Sequence, residues 1–238
     1  MKISLISAAF LTIAASTASA QLSFSSASID LDYLTDQRFS GGFVTFGGRA
    51  DYDIGQLGMQ LDGKAGAVVG NGGLPLSIYN AAVHVYKPFG NGAKFGGYAG
   101  LSPVSLLGRT SYIYSVGVEG MMSFGPLDME AAISNISIAG STTTAWFVEV
   151  DAYYTISQAV ELNAGVSSLM SNGNSPSTYY SIGAKYKMAN IPVSLGANYF
   201  LSSKNDTFIE LVASYAFGPG PDERLFSSRA YPVFQGGL

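Results

Sequence analysis

The chain has 238 residues, enough for one substantial domain, of which 47% are hydrophobic and only 12% charged. A soluble domain carries about 25% charged residues, yet after the N-terminal segment no stretch approaches the ~20 continuous apolar residues of a membrane helix. The formal net charge of −4 argues against nucleic acid as a partner, and the absence of cysteine excludes a disulfide framework, a thiolate metal site and a lipid-modified N-terminal cysteine.

Taken in order, the chain opens with an export signal. Lys2 supplies the positive charge, Ile3 to Ala15 the short apolar region, and Ala18-Ser19-Ala20 the cleavage site before Gln21. Losing residues 1–20 removes one lysine and no acid, so the exported chain carries 11 − 16 = −5. From Leu22 the sequence breaks into segments of alternating apolar and polar residues separated by Gly, Asn, Asp, Ser and Pro clusters. Twelve strands are predicted, over 22–34, 40–55, 57–70, 77–87, 93–103, 111–124, 127–138, 144–156, 159–169, 177–187, 191–202 and 206–217. An even number puts both ends of the sheet on one side, the periplasm in proteins of this build. The connections alternate as well. Gly55-Gln56-Leu57-Gly58, Phe124 to Leu127, Ser157-Gln158 and Lys187 to Ile191 are tight, and Pro88 to Gly92 is slightly longer. The other set comprises Thr35 to Phe39, Asn71 to Leu76, Ser102 to Thr110, Ala139 to Thr143, Ser171 to Pro176 and Ser203 to Asn205. These are predicted to face outside, and they are too short for a large receptor or adhesin surface. Strand-turn-strand units recur roughly every 33 residues, as hairpins of one barrel would.

Aromatic residues mark the strand ends. Phe43, Tyr112, Tyr114, Trp146, Tyr179, Tyr180 and Tyr199 fall near the outer ends, and Tyr52, Phe95, Phe124, Tyr154, Tyr186, Tyr215 and Phe217 near the inner ones. Two belts are what a barrel needs at its two membrane interfaces, and only helices and closed barrels satisfy their backbone groups in lipid. The last strand, Thr207 to Phe217, has Ile209, Leu211, Ala213, Tyr215 and Phe217 on one face. With its terminal aromatic it resembles the signal read by the barrel-assembly machinery in outer-membrane proteins of Gram-negative bacteria. Segments such as Leu61-Asp62-Gly63, Val83 to Pro88 and Val150 to Tyr154 look similar to barrels from α-proteobacteria. From Leu22 to Phe217 the chain thus resembles a small outer-membrane β-barrel of the porin-like superfamily. That resemblance implies an all-β, antiparallel, up-and-down transmembrane barrel at residues 21–217, in contact with outer-membrane lipids and small solutes.

Residues 218–238 depart from that pattern. Gly-Pro-Gly-Pro forbids a further ladder strand directly after Phe217. The tail is expected to be a disordered periplasmic end, with a plug folded into the lumen mouth as the alternative.

Face assignment puts mid-strand charge on the inside, because a Lys or Arg on the lipid face near the midplane costs about 2 to 4 kcal/mol. Asp30, Arg49, Asp51, Asp62, Lys64, Glu119, Glu149, Asp151, Lys185 and Glu210 are the expected lumen-lining set, joined by Asp32, Asp53, Asp128, Glu130 and Glu161. With Gln56 and Leu57 as turn residues, Arg49 would face Lys64 and Asp51 would face Asp62, relieved by the diagonal pairs Arg49–Asp62 and Asp51–Lys64. Twelve strands leave a narrow passage, and an excess of acid favours cations or polar neutral solutes over anionic sugars. The first reading is therefore a porin or narrow channel for passive diffusion of small polar or cationic solutes. A non-conducting structural barrel is the second reading. An enzyme is the third, but it would have to centre on the chain's one histidine, His84, without a His-x-Ser pair beside it. No phosphate loop or metal-ligand spacing is present, so no cofactor is expected.

Overall fold

Successive side chains of a strand point to opposite faces, so a segment that alternates apolar with polar residues makes a sheet with one greasy and one wet side. In the computed structural model, which describes residues 22–36, 41–70, 76–142, 144–171, 175–218 and 224–227, that sheet closes on itself. The strands are β1 (Leu22–Asp36), β2 (Gly41–Ile54), β3 (Leu57–Gly70), β4 (Leu76–Pro88), β5 (Lys94–Leu106), β6 (Arg109–Phe124), β7 (Leu127–Ile138), β8 (Thr144–Thr155), β9 (Val160–Ser171), β10 (Ser177–Lys187), β11 (Val193–Ser202) and β12 (Thr207–Phe217). Each is antiparallel to its sequence neighbours, and β12 pairs with β1 from Ala27↔Phe217 to Asp36↔Phe208. Closure leaves no edge strand, so each strand is paired on both sides. The predicted signal, residues 1–20, and the expected outer connections at 37–40, 71–75 and 172–174 lie outside the described residues.

Ile29, Leu31, Phe46, Leu61, Val118, Ile133, Ile182, Leu195 and Leu211 are exposed on the outward face at mid-strand. Tyr112, Tyr114, Trp146, Tyr180 and Tyr199 ring the distal end, and Phe95, Phe124, Tyr154, Tyr186, Tyr215 and Phe217 ring the end where β1 starts and β12 stops. Phe43 and Tyr179 do not belong to the distal belt. They are only 6% and 5% exposed and point inward, sharing parity with Arg49 and Lys185.

Three further expectations are corrected. The β2–β3 turn is Gly55-Gln56, with Gly55 at φ +64, the glycine-first form of a two-residue hairpin. Arg49 therefore lies opposite Asp62, and Asp51 opposite Gln60. The expected loop Ser102 to Thr110 is mostly strand, reduced to a turn at Leu107-Gly108, where φ is +50 and +76. Pro103 has no N–H for the ladder, and pairing with β4 lapses at Tyr79 and Asn80, where Asn80 Nδ2 donates instead to Ser102 Oγ at 2.9 Å. Finally, part of the tail, 224–227, lies inside the barrel.

Large inward side chains sit against inward glycines. A Cβ on Gly58 would lie 2.2 Å from the Tyr86 ring, and one on Gly117 would lie 2.7 Å from Tyr98 and 2.6 Å from the Ile133 carbonyl oxygen. Gly117→Val is expected to overpack the wall and cost about 1–3 kcal/mol, read as a lower urea midpoint of the folded barrel in micelles. Gly63→Ala, with nothing within 4 Å of its new Cβ, should not lower it.

Candidate functional site

The lumen has two unlike sides. On the side of β4 to β7 it is filled. Phe43, Ile78, Val104, Ile113, Ile136 and Phe147 form an apolar cluster at the distal end, with Leu34, Val68 and Leu169 packed on it. Below it His84 is fully buried, with Nδ1 2.7 Å from Glu119 Oε1 and Nε2 3.0 Å from Asp62 Oδ2. Ionised carboxylates only accept, so this arrangement is satisfied when the ring carries both protons. Both ring nitrogens are therefore engaged by wall carboxylates. The rings of Tyr98 and Phe226 stack on the imidazole, with centroids 5.4 Å and 6.1 Å away.

The tail completes this side. Phe226 is fully buried between His84, Tyr86 and Met121. Gln60 holds its backbone at both groups: Phe226 N donates to Oε1 at 2.9 Å, and Nε2 donates to the Phe226 carbonyl at 2.9 Å. The Tyr86 hydroxyl donates to Asp51 at 2.7 Å. Ser227 donates to Glu130 through its N–H at 3.0 Å and its hydroxyl at 2.9 Å. Arg224 donates through Nε to Asp128 Oδ2 at 3.0 Å and through Nη2 to Glu161, and its guanidinium lies 4.0 Å over the Tyr153 ring. Lys94 donates to the Arg224 carbonyl at 3.1 Å. Burial works against the Arg224 charge, but Glu161, Tyr153 and Asp128 outweigh it and raise its pKa.

On the other side, β1, β2, β3 and β8 to β12 enclose a cavity of about 350 Å³. Asp30, Arg49, Lys64, Glu149, Asp151, Lys185 and Glu210, all from the expected lumen set, line it with Asp32, Glu161, Asn163, Asn198 and Arg224. Asp51, Asp62 and Glu119 point inward as well, but they are only 1%, 6% and 5% exposed and are spent on Tyr86 and His84. The ion pairs also differ from the expected diagonals. Arg49 pairs with Asp30 at 3.3 Å and Lys64 with Asp32 at 2.5 Å, since Asp62 turns to His84. A chain of polar contacts, Asn163 to Asn198 at 3.0 Å and Asn198 to Glu210 at 2.8 Å, crosses β9, β11 and β12. Leu211, Ala213, Tyr215 and Phe217 face outward on the strand that closes the barrel.

Gln60, Lys94, Tyr153 and Phe226 were not among the expected site residues. Inward parity was the available signal for the first three, and the Arg-plus-aromatic composition of the tail for the fourth. Among the described residues no cluster of three or more His, Cys, Asp or Glu is arranged to hold a metal ion.

No family model matches the sequence, and no curated protein matches it. Among solved structures the fold is similar to the NanC porin, with a TM-score of 0.60 and 8% identity over 79% of this chain and 98% of that one. It is also similar to the KdgM porin in complex with disordered oligogalacturonate, with a TM-score of 0.59 and 12% identity over 80% of this chain and 99% of that one. The COG4313 outer membrane channel from Pseudomonas putida F1 gives 0.57 and 9% identity over 83% and 97%. At these identities the likeness is one of fold: a closed antiparallel β-barrel.

The Gln60 clamp is the part of the tail seat with the clearest cost of removal. Gln60→Leu leaves the N–H and C=O of Phe226 without the amide, at about 1–3 kcal/mol for an unpaired buried group. Trypsin is expected to cut after Arg224 faster in this variant than in the wild type, while the barrel strands stay resistant. Equal cutting rates would mean that the clamp does not hold the tail.

Proposed function

We propose that this chain is an outer-membrane porin, a narrow channel for passive diffusion of small polar or cationic solutes, exported through its N-terminal signal. The observation that carries this reading is the charged cavity along β8 to β12 and β1 to β3, inside a wall whose outer face is apolar. The opposite side of the same barrel is filled by ordinary side chains, whereas this side stays open and charged. The similarity in fold to the NanC, KdgM and COG4313 barrels supports the same reading.

The lining favours cations. Asp30, Asp32, Glu149, Asp151, Glu161 and Glu210 stand against Arg49, Lys64, Lys185 and Arg224, six acids to four bases. The KdgM porin was solved with oligogalacturonate, an acidic chain. The balance of charge here suits the opposite sign or uncharged polar solutes. The end bearing β1 and the close of β12 faces the periplasm in this reading, and the outward Leu211, Ala213, Tyr215 and Phe217 are the surface offered to the barrel-assembly machinery. The likeness of Val83 to Pro88 and Val150 to Tyr154 to α-proteobacterial barrels supports an origin in that group. His84 stands in a structural network, and no catalytic role is assigned to it.

The tail narrows the passage from the periplasmic side, with Arg224, Leu225 and Ser227 on the cavity wall. Single-channel conductance of the chain from Gln21 onward, refolded into a planar bilayer, tests this. Stable steps with cation preference are expected, and larger steps when residues 218–238 are removed. Glu149→Gln with Glu210→Gln should lower the cation-to-anion permeability ratio on the order of twofold to fivefold, the effect of about 0.5–1 kcal/mol of lost attraction in a wet lumen. Silence from both chain lengths, with the barrel folded, would turn the reading to a structural, non-conducting barrel.

A further inference from the structure

Arg224 occupies a site built entirely by the wall. Asp128 of β7 and Tyr153 of β8 are direct cross-strand partners, and Glu161 stands on the next strand, β9. The two carboxylates take the Nε and Nη2 edges of the guanidinium while the phenol ring lies under its plane, 4.0 Å from the central carbon. Planar, two-edged and stacked recognition is what separates a guanidinium from an ammonium ion, which is a compact point charge on three rotatable donors. None of these three side chains comes from the tail, although the Tyr153 hydroxyl also meets Ser227 Oγ of the tail at 3.0 Å. Lys187 Nζ lies 3.9 Å from the same Glu161 oxygen, and Lys185 is the cross-strand partner of Glu161.

The site also opens where a solute would pass. Tyr153, Glu161 and Arg224 itself line the charged cavity. Lys94 donates to the Arg224 carbonyl at 3.1 Å, so an oxygen acceptor a few bonds from the guanidinium is recognised as well. A free amino acid with a guanidinium side chain carries both groups, its α-carboxylate standing where the tail presents a carbonyl.

We propose that Asp128, Tyr153 and Glu161 form a guanidinium-binding subsite of the lumen, which the chain's own Arg224 fills and for which arginine-like solutes compete. This names a solute class for the channel and rests on that reading of the lumen. The tail is an intramolecular competitor, and its tethering gives it an effective concentration of about millimolar order. A free solute binds only the fraction of molecules whose subsite is vacant, and its apparent affinity falls in proportion.

Binding of L-arginine to the refolded, full-tailed protein in micelles, measured by calorimetry, tests the proposal, with L-lysine as the comparison ligand. Arg224→Ala is expected to bind L-arginine at least about tenfold more tightly than the wild type and to prefer it to L-lysine. Adding Asp128→Asn or Glu161→Gln to Arg224→Ala should weaken binding by about tenfold or more, as loss of a charge-assisted bond requires. Removal of residues 218–238 should reproduce the gain, which guards against a folding defect peculiar to Arg224→Ala. Unchanged affinity in both tail variants, equal affinity for the two ligands, or indifference to Asp128→Asn and Glu161→Gln would overturn the proposal. The two readings separate cleanly: a conducting barrel without arginine binding removes the subsite alone, and arginine binding to a barrel silent in bilayers removes the channel alone.

Discussion

A closed sheet of twelve strands satisfies its backbone groups only by taking a radius at which inward side chains do not fill the interior by themselves. What is done with the remaining space decides everything else about this molecule. On the side of β4 to β7, large residues are laid against glycines and the space is closed: Tyr86 over Gly58, Tyr98 over Gly117, and the apolar cluster of Phe43, Ile113 and Phe147 above them. On the side of β8 to β12 the inward positions are held by Asn163, Ser181, Lys185, Gly196 and Ser214, and the space stays open.

The charges inside follow from the same division. A lone charge away from water is costly, and a paired one must keep its partner. On the filled side His84 lies between Asp62 and Glu119 and leaves neither carboxylate free of it. Near the β1 and β12 end, Asp128, Glu130 and Glu161 converge from β7 and β9, and Arg224 and the Ser227 donors, supplied by the tail, bond to them. The tail is therefore a member of the lumen's polar network, held at a stacked ring, a clamped backbone and a forked cation.

Much of this architecture was legible in the sequence because it depends on period-two alternation, which is local. The strand number, the inward parity of Asp30, Arg49, Glu149, Lys185 and Glu210, and most of both aromatic belts follow from it. What the alternation does not carry is register, since moving a turn from Gln56-Leu57 to Gly55-Gln56 re-pairs Arg49 with Asp62 without changing any residue's face. It also cannot tell an interfacial ring from an inward one when both sit near a strand end, which is why Phe43 and Tyr179 were expected in the belt. The tail seat lay further out of reach, because Gln60 meets Phe226 across 166 residues of chain and nothing near either one announces the other. The glycines opposite Tyr86 and Tyr98 were a readable sign that the lumen makes room for rings, though not for which ones.

The central claim is that the lumen is open along β8 to β12 and closed along β4 to β7. A chain without cysteine lets one introduced thiol report one position. The most direct measurement is the rate at which a small, charged, water-soluble thiol reagent labels Ser181→Cys, on the cavity wall, and Ser134→Cys, an inward residue only 1% exposed on the filled side. Fast labelling of the first and none of the second on the same timescale is the predicted result. Equal rates at the two positions would contradict a divided lumen.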